Sequence, residues 1–471
     1  MRVSHRLVRV ALALPLLYSL YFFAIPETGL LGPDEPRYAS IGRQMARSGD
    51  WVTPVLWGEP WFEKPPLLYW MIALATHAGL RDETAARLPV ACLSVAFLIF
   101  YQRMLARLFG QRAAWFASLI LATSVGWVSF SQFALPDLPM AAAFSAAMLL
   151  AMPWLAAGPP RRLWLAGALL GLAVLAKGLV PVALALPLVW MGRRRWRDLL
   201  WPAAVLLVVV LPWHGLATWR HGFGFLDELY YKHHFQRFAS GALLHPQPFW
   251  FYLPVLPAGL LPWSPLLLLL GARETWRDSQ RRFLLVTVVS GFVFFSLAVN
   301  KLPGYLLPLA PAVCALAGVR LSEVKKPQWL LASCALPLAL VPAAIDILPR
   351  AILEGLTGAG WPSFHPPLAA LALLPAAWAA FWDRRGRRGL ALAGVAGAMW
   401  VSVLAIKVET YPVLDEKVSV RRLWRRVAGQ APALCAEEIG RSALYGLNYY
   451  AGKALPPCGG KPGEVPLRGR E

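Results

Sequence analysis

From Leu7 to Lys407 the chain alternates apolar stretches, many of membrane-spanning length, with short polar connectors. About 20 consecutive apolar residues cross a bilayer core as a helix. Counting crossings between polar breaks predicts about 13 transmembrane helices, near 7–25, 88–108, 113–130, 138–157, 163–176, 178–191, 199–217, 249–270, 283–299, 304–319, 328–345, 366–382 and 389–406. The first stretch has no small-residue cleavage site after Phe22-Phe23-Ala24-Ile25-Pro26, so it is read as a retained helix. Residues 66–80 are apolar but short, which predicts an interfacial or re-entrant segment. The expected fold class is therefore an all-α polytopic membrane protein. Its predicted organisation is a transmembrane domain over 1–407, with outer loops at 26–87 and 218–248, followed by a C-terminal region over 408–471.

Charge sets the orientation. The 471 residues carry 46 Lys and Arg against 25 Asp and Glu, a net charge of +21, and only 15% are charged. Basic clusters such as Arg103/Arg107/Arg112, Arg193 to Arg197 and Arg384 to Arg388 recur in every other connector. Lys and Arg are retained on the cytoplasmic side of a membrane. The positive charge thus reads as topology rather than as a nucleic-acid footprint: N-terminus in the cytoplasm, alternate loops and C-terminus outside. Cys435 and Cys458 fall in that outer tail, where a disulfide between them is expected.

The outer loops hold nearly all the candidate chemistry. The first contains Gly32-Pro33-Asp34-Glu35-Pro36-Arg37-Tyr38, an acidic pair between prolines, then Tyr38, Ile41 and Met45 on one face of a short helix predicted to lie on the membrane. Its Trp51, Trp57, Trp61 and Trp70 read as an interfacial belt. Carboxylates beside hydrocarbon are costly unless paired or used. Asp34, Glu35 and Glu63 are therefore candidates to orient or deprotonate a hydroxyl, and Lys64 to hold a phosphate. Asp137 at a helix start, Lys177 at a hairpin tip, and Lys301 with Tyr305 before another helix map to the same face. The second outer loop adds His233, His234 and Arg237, the last suited to gripping phosphate in fork geometry. Such a cavity suits an anionic lipid. It leaves two function classes, an enzyme acting on a phospholipid-like donor or a lipid transporter; the absence of a convincing internal repeat favours the enzyme.

The runs Asp34-Glu35-Pro36-Arg37-Tyr38, Ser48-Gly49-Asp50-Trp51 and Trp61-Phe62-Glu63-Lys64-Pro65-Pro66 resemble the aminoarabinose lipid A transferases and the wider protein-mannosyltransferase-like glycosyltransferases of the GT-C superfold. Pro136-Asp137, Lys177-Gly178, Arg237-Phe238, Pro262-Trp263-Ser264 and Lys301-Leu302-Pro303-Gly304-Tyr305 agree in order. The resemblance implies inverting transfer of a sugar from a polyprenyl-phosphate donor to a lipid A-like glycolipid, another envelope acceptor or a protein hydroxyl, at the outer face of the cytoplasmic membrane. It implies Asp34 as base or orienting carboxylate with Asp137 assisting. Glu35, Arg37, Tyr38, Lys64, Lys177, Arg237, Lys301 and Tyr305 would bind substrate. Glu63 and His234 would take a divalent metal, zinc or Mg/Mn, and no organic cofactor is implied. Where the family has Glu-His before Gln-Arg-Phe, this chain has His233-His234. Its tail is also short, and Tyr445 to Tyr450 hints there at a small mixed α/β appendage.

Overall fold

The structure, a computed structural model, describes residues 14–236, 246–271, 273–355, 358–363, 365–459 and 465–468. Among the described residues, seven helices are long and apolar enough to span a membrane: Asp82–Phe109, Asp137–Leu155, Arg193–His221, Ser279–Leu297, Pro303–Glu323, Gln328–Glu354 and Arg388–Lys417. The protein is a multi-span membrane protein. The stretches expected as crossings at 113–130, 163–176, 178–191, 249–270 and 366–382 form shorter or broken helices, and residues 7–13 of the first expected helix lie outside the described residues. The 113–130 stretch is split into α5 (Gln111–Ala122) and α6 (Val125–Phe130) around Thr123 and Ser124. The 178–191 stretch is split into α9 (Val180–Leu184) and α10 (Leu186–Met191), each with proline at its start. Proline at a helix start is tolerated, but inside a continuing helix it would cost a hydrogen bond, so each restarts the helix.

The core runs along α7 (Asp137–Leu155) and the helix that closes Pro303–Glu323, whose spanning windows are each 89% buried. Small side chains such as Ala141, Ala147 and Ala151 let neighbours approach α7 closely. By contrast, the windows of Arg193–His221 and Gln328–Glu354 are 17% and 22% buried, which leaves apolar side chains for lipid. Chain direction then fixes where the polar groups collect. Asp137 begins α7, Lys177 ends the following antiparallel α8 (Leu163–Lys177), and Tyr305 precedes the helix Ala310–Glu323, so all three lie at one end of the bundle.

At that end α2 (Asp34–Ser48) starts with two acids, which suit the positive end of a helix dipole, and stops at left-handed Gly49, whose N–H bonds Met45. Its apolar face is buried as its spacing requires, but against protein rather than lipid. Tyr38, Ile41 and Met45 pack on α3 (Leu67–His77), the short segment predicted to be interfacial. Gly42 permits this, since a Cβ there would lie 2.6 Å from Ile72. The expected tryptophan belt also turns inward: Trp70 donates to the Trp51 carbonyl at 2.8 Å, and Trp57 meets Tyr445 edge-on.

The last spanning helix continues past the expected boundary to Lys417. Beyond it, β1 (Leu434–Glu437) pairs in parallel with β2 (Val465–Arg468) beside the helix Arg441–Ala451, and Cys435 bonds Cys458. This appendage clasps the segment leading into α2. Asp415 accepts from the Gly29 N–H at 2.9 Å, Arg421 donates to the Pro26 and Glu27 carbonyls, and Tyr450 donates to Glu83.

Candidate active site

Two neighbouring acids at the start of α2 face different ways, because successive helical residues are about 100° apart. Asp34 remains half-exposed and pairs with Arg37 one turn later. Glu35 is 1% exposed and takes both Arg87 Nε and Nη2 at 2.7 Å, along with the N–H groups of Leu31 and Ala134. Arg87 also donates to the carbonyls of Ile25, Thr28 and Gly29. Glu35 is therefore an anchor for α2 and does not join the substrate cluster expected for it.

Arg37 is the hinge of the site. Its Nη2 holds Asp34, its Nη1 meets Glu63 Oε2 at 2.7 Å, and its guanidinium lies 5.4 Å from the Trp61 and Tyr38 rings. Burial disfavours its charge, yet Tyr38, Glu63 and Asp34 outweigh that and raise its pKa, so it stays protonated. Burial first, then Asp34 and Glu63, push Tyr38 up and keep it a neutral phenol. Glu63 Oε1 in turn lies 3.3 Å from Lys64. On the bundle side Lys177 pairs with Asp137 and sits 4.5 Å from the Tyr305 ring. Gly304 leaves room for this, because a Cβ there would lie 2.6 Å from Asp137 Oδ1.

Lys64 and Lys177 open onto one cavity of about 440 Å³. Tyr305, His233 and Asn300 also line it, together with Leu179, Val180, Ala183, Phe294 and Phe295. The lining thus combines two ammonium groups with a mostly apolar surface. Burial, reinforced by the Lys64 charge, lowers the His233 pKa, so its imidazole is neutral at pH 7. His233 Nε2 lies 3.1 Å from Glu228.

The expected residues therefore divide. Asp34, Arg37, Tyr38, Glu63 and Lys64 form one linked group, and Asp137, Lys177 and Tyr305 another, joined across the cavity that Lys64, Lys177 and Tyr305 line. Lys301 departs from expectation: it is buried, donates to the carbonyls of Gln247 and Ala298, and does not line the cavity. Arg237 and the side chain of His234 lie outside the described residues. The expected metal position does not fit the described donors. Glu63 faces two cations, Arg37 and Lys64, and among the described residues no three His, Cys, Asp or Glu side chains gather. Sequence reasoning passed over Arg87, whose signal was a cation just inside an apolar run, and the paired Phe294 and Phe295.

The family model described as dolichyl-phosphate-mannose-protein mannosyltransferase matches residues 63–219. An undecaprenyl phosphate-alpha-4-amino-4-deoxy-L-arabinose arabinosyl transferase of Edwardsiella ictaluri is 38% identical over 328 residues, 65% of this chain and 58% of that protein. The match thus spans less than two thirds of that relative's length. The namesake from Erwinia tasmaniensis is 34% identical over 407 residues, 80% of this chain and 71% of its own. Among solved structures, ArnT from Cupriavidus metallidurans bound to undecaprenyl phosphate superposes with a TM-score of 0.76 at 27% identity, covering 96% of this chain and 86% of that one. The archaeal oligosaccharyltransferase AglB from Archaeoglobus fulgidus, at 12% identity and a TM-score of 0.55, shares the fold alone. The chain belongs to the family of undecaprenyl phosphate-aminoarabinose arabinosyl transferases and has their GT-C fold.

Proposed function

We propose that this protein transfers a sugar from a polyprenyl-phosphate donor to a hydroxyl of a lipid A-like glycolipid, with inversion, at the outer face of the inner membrane. The carrying observation is that Lys64 and Lys177 line one cavity whose other lining residues are mostly apolar, a combination that suits a lipid phosphate. The names of the relatives and the undecaprenyl phosphate in the Cupriavidus structure support the same donor. The placement of basic clusters supports an N-terminus in the cytoplasm and a C-terminus outside.

The isoprenoid lies along Val180, Ala183 and Phe294, and the phosphate meets the two ammonium groups. As the bond from the anomeric carbon to phosphate breaks, charge grows on the leaving phosphate, which Lys64 and Lys177 stabilise without giving up a proton. The acceptor hydroxyl attacks that carbon from the opposite side and passes its proton to Asp34, held in place by Arg37. Asp137 keeps Lys177 aimed, and Tyr305 limits its swing. Purified protein given undecaprenyl-phosphate aminoarabinose and lipid A is expected to release undecaprenyl phosphate and form a glycoside. Movement of the donor between leaflets without glycoside would make the protein a transporter and defeat the proposal.

A further inference from the structure

The face of α2 turned away from Asp34 carries a second set of cations. Arg43 is about 180° around the helix from Asp34, and Arg47 one turn further on. Both line two adjoining hollows of about 290 and 550 Å³, bounded by the hairpin tip at Trp57 and Gly58, the appendage at Gly452 and Lys453, and the start of α4 (Asp82–Phe109) at Arg81. Four cations, Arg43, Arg47, Arg81 and Lys453, therefore face this basin, and Asp82 is the one acid among its described lining residues.

Arg43 is fixed in place. Its guanidinium stacks on Tyr449 at 4.0 Å and donates to the Tyr449 carbonyl, yet no carboxylate pairs with it among the described residues. Burial, and then the charge of Arg47, lower its pKa against the pull of Tyr449 and Asp82. Arg47 lies against Gly452, where a Cβ would stand 4.0 Å from its Nη1, next to Lys453. Like charges held this close are unfavourable unless an anion joins them. The elements that hold them are rigidly joined: Trp57 packs edge-on against Tyr445 at 4.9 Å, tying hairpin to appendage.

We infer that the Arg43, Arg47, Arg81 and Lys453 basin binds a phosphate monoester on the headgroup of an anionic glycolipid, separately from the donor phosphate at Lys64 and Lys177. The inference rests on the transferase reading in that the glycolipid would be the acceptor. Fork-shaped guanidinium groups suit phosphate oxygens, and α2 then stands between headgroup and reaction, with Asp34 on its other face.

The full chain in phosphatidylcholine nanodiscs is titrated with diphosphorylated lipid A, with dephosphorylated lipid A and with inorganic phosphate. The wild type is expected to bind the phosphorylated lipid at least about tenfold more tightly than either other probe. Arg47→Gln combined with Lys453→Gln is expected to weaken that binding about tenfold, and Arg81→Gln to weaken it independently, with undecaprenyl phosphate affinity unchanged as the check on folding. Unchanged lipid A affinity in these variants would overturn the assignment, as would inorganic phosphate binding as tightly as the lipid. A wild type that binds phosphorylated lipid A through the basin but never transfers sugar would sink the transferase reading and leave this one standing.

Discussion

Replacing Lys177 with methionine keeps the side chain's bulk and removes its charge. The Lys177 side chain is 9% exposed and its partner Asp137 13%, so the substitution strands a buried carboxylate. Breaking a buried pair from one side costs about 3–5 kcal/mol. The lost contact with Tyr305 adds about 0.5–2 kcal/mol. Adding Asp137→Asn removes the stranded charge and is expected to restore most of that stability. Donor binding follows a different rule. A hydrogen bond from an ammonium to phosphate contributes about 1.5–3 kcal/mol, which corresponds to roughly 10- to 150-fold in affinity. Denaturant unfolding in detergent reads the first effect and titration with undecaprenyl phosphate the second. The single variant is expected to be both unstable and weak in binding, the double variant stable and still weak in binding. Normal donor affinity in either variant would refute the role given to Lys177.

Asp34→Asn is expected to lower turnover about 10²- to 10⁴-fold while donor affinity and folding hold, since the carboxylate is half-exposed and is proposed to take the acceptor proton; turnover near normal would remove its role. Arg87→Met strands Glu35 and leaves three carbonyls without their donor, so unfolding should become easier by about 3–5 kcal/mol, and a change below about 0.5 kcal/mol would show that α2 is anchored elsewhere. His233 is neutral at pH 7 because burial and Lys64 depress its pKa below the usual histidine value, so it adds charge to the cavity only as pH falls. The ratio of donor Kd in His233→Ala to that in wild type should be flat from pH 8 to 7 and grow toward pH 5.5; a flat ratio throughout would contradict this.

What the sequence disclosed follows from the range of each interaction. The Tyr38, Ile41, Met45 face was legible because helical spacing is local, but whether it met lipid or α3 depended on Gly42 and Ile72, 30 residues apart in sequence. The charged residues were legible as a set because membrane topology brings alternate loops to one side. Their pairing was not. Asp34 and Glu35 read alike in sequence, and the pairing with Arg87, 52 residues downstream, marks the buried anchor off from the half-exposed acid. Lys301 looked like Lys177 until the backbone carbonyls around it were known. Long apolar runs also concealed breaks: residues 249–270 are expected as one crossing, yet form the short helix Tyr252–Gly259 flanked by 3₁₀ turns.

The most direct test of the donor site is an experimental structure of the full chain with undecaprenyl phosphate bound. The phosphate is expected within about 3 Å of the ammonium groups of Lys64 and Lys177, with the isoprenoid running between Val180, Ala183 and Phe294. A phosphate found elsewhere, for instance between Arg43 and Arg47 on the opposite face of α2, would contradict it.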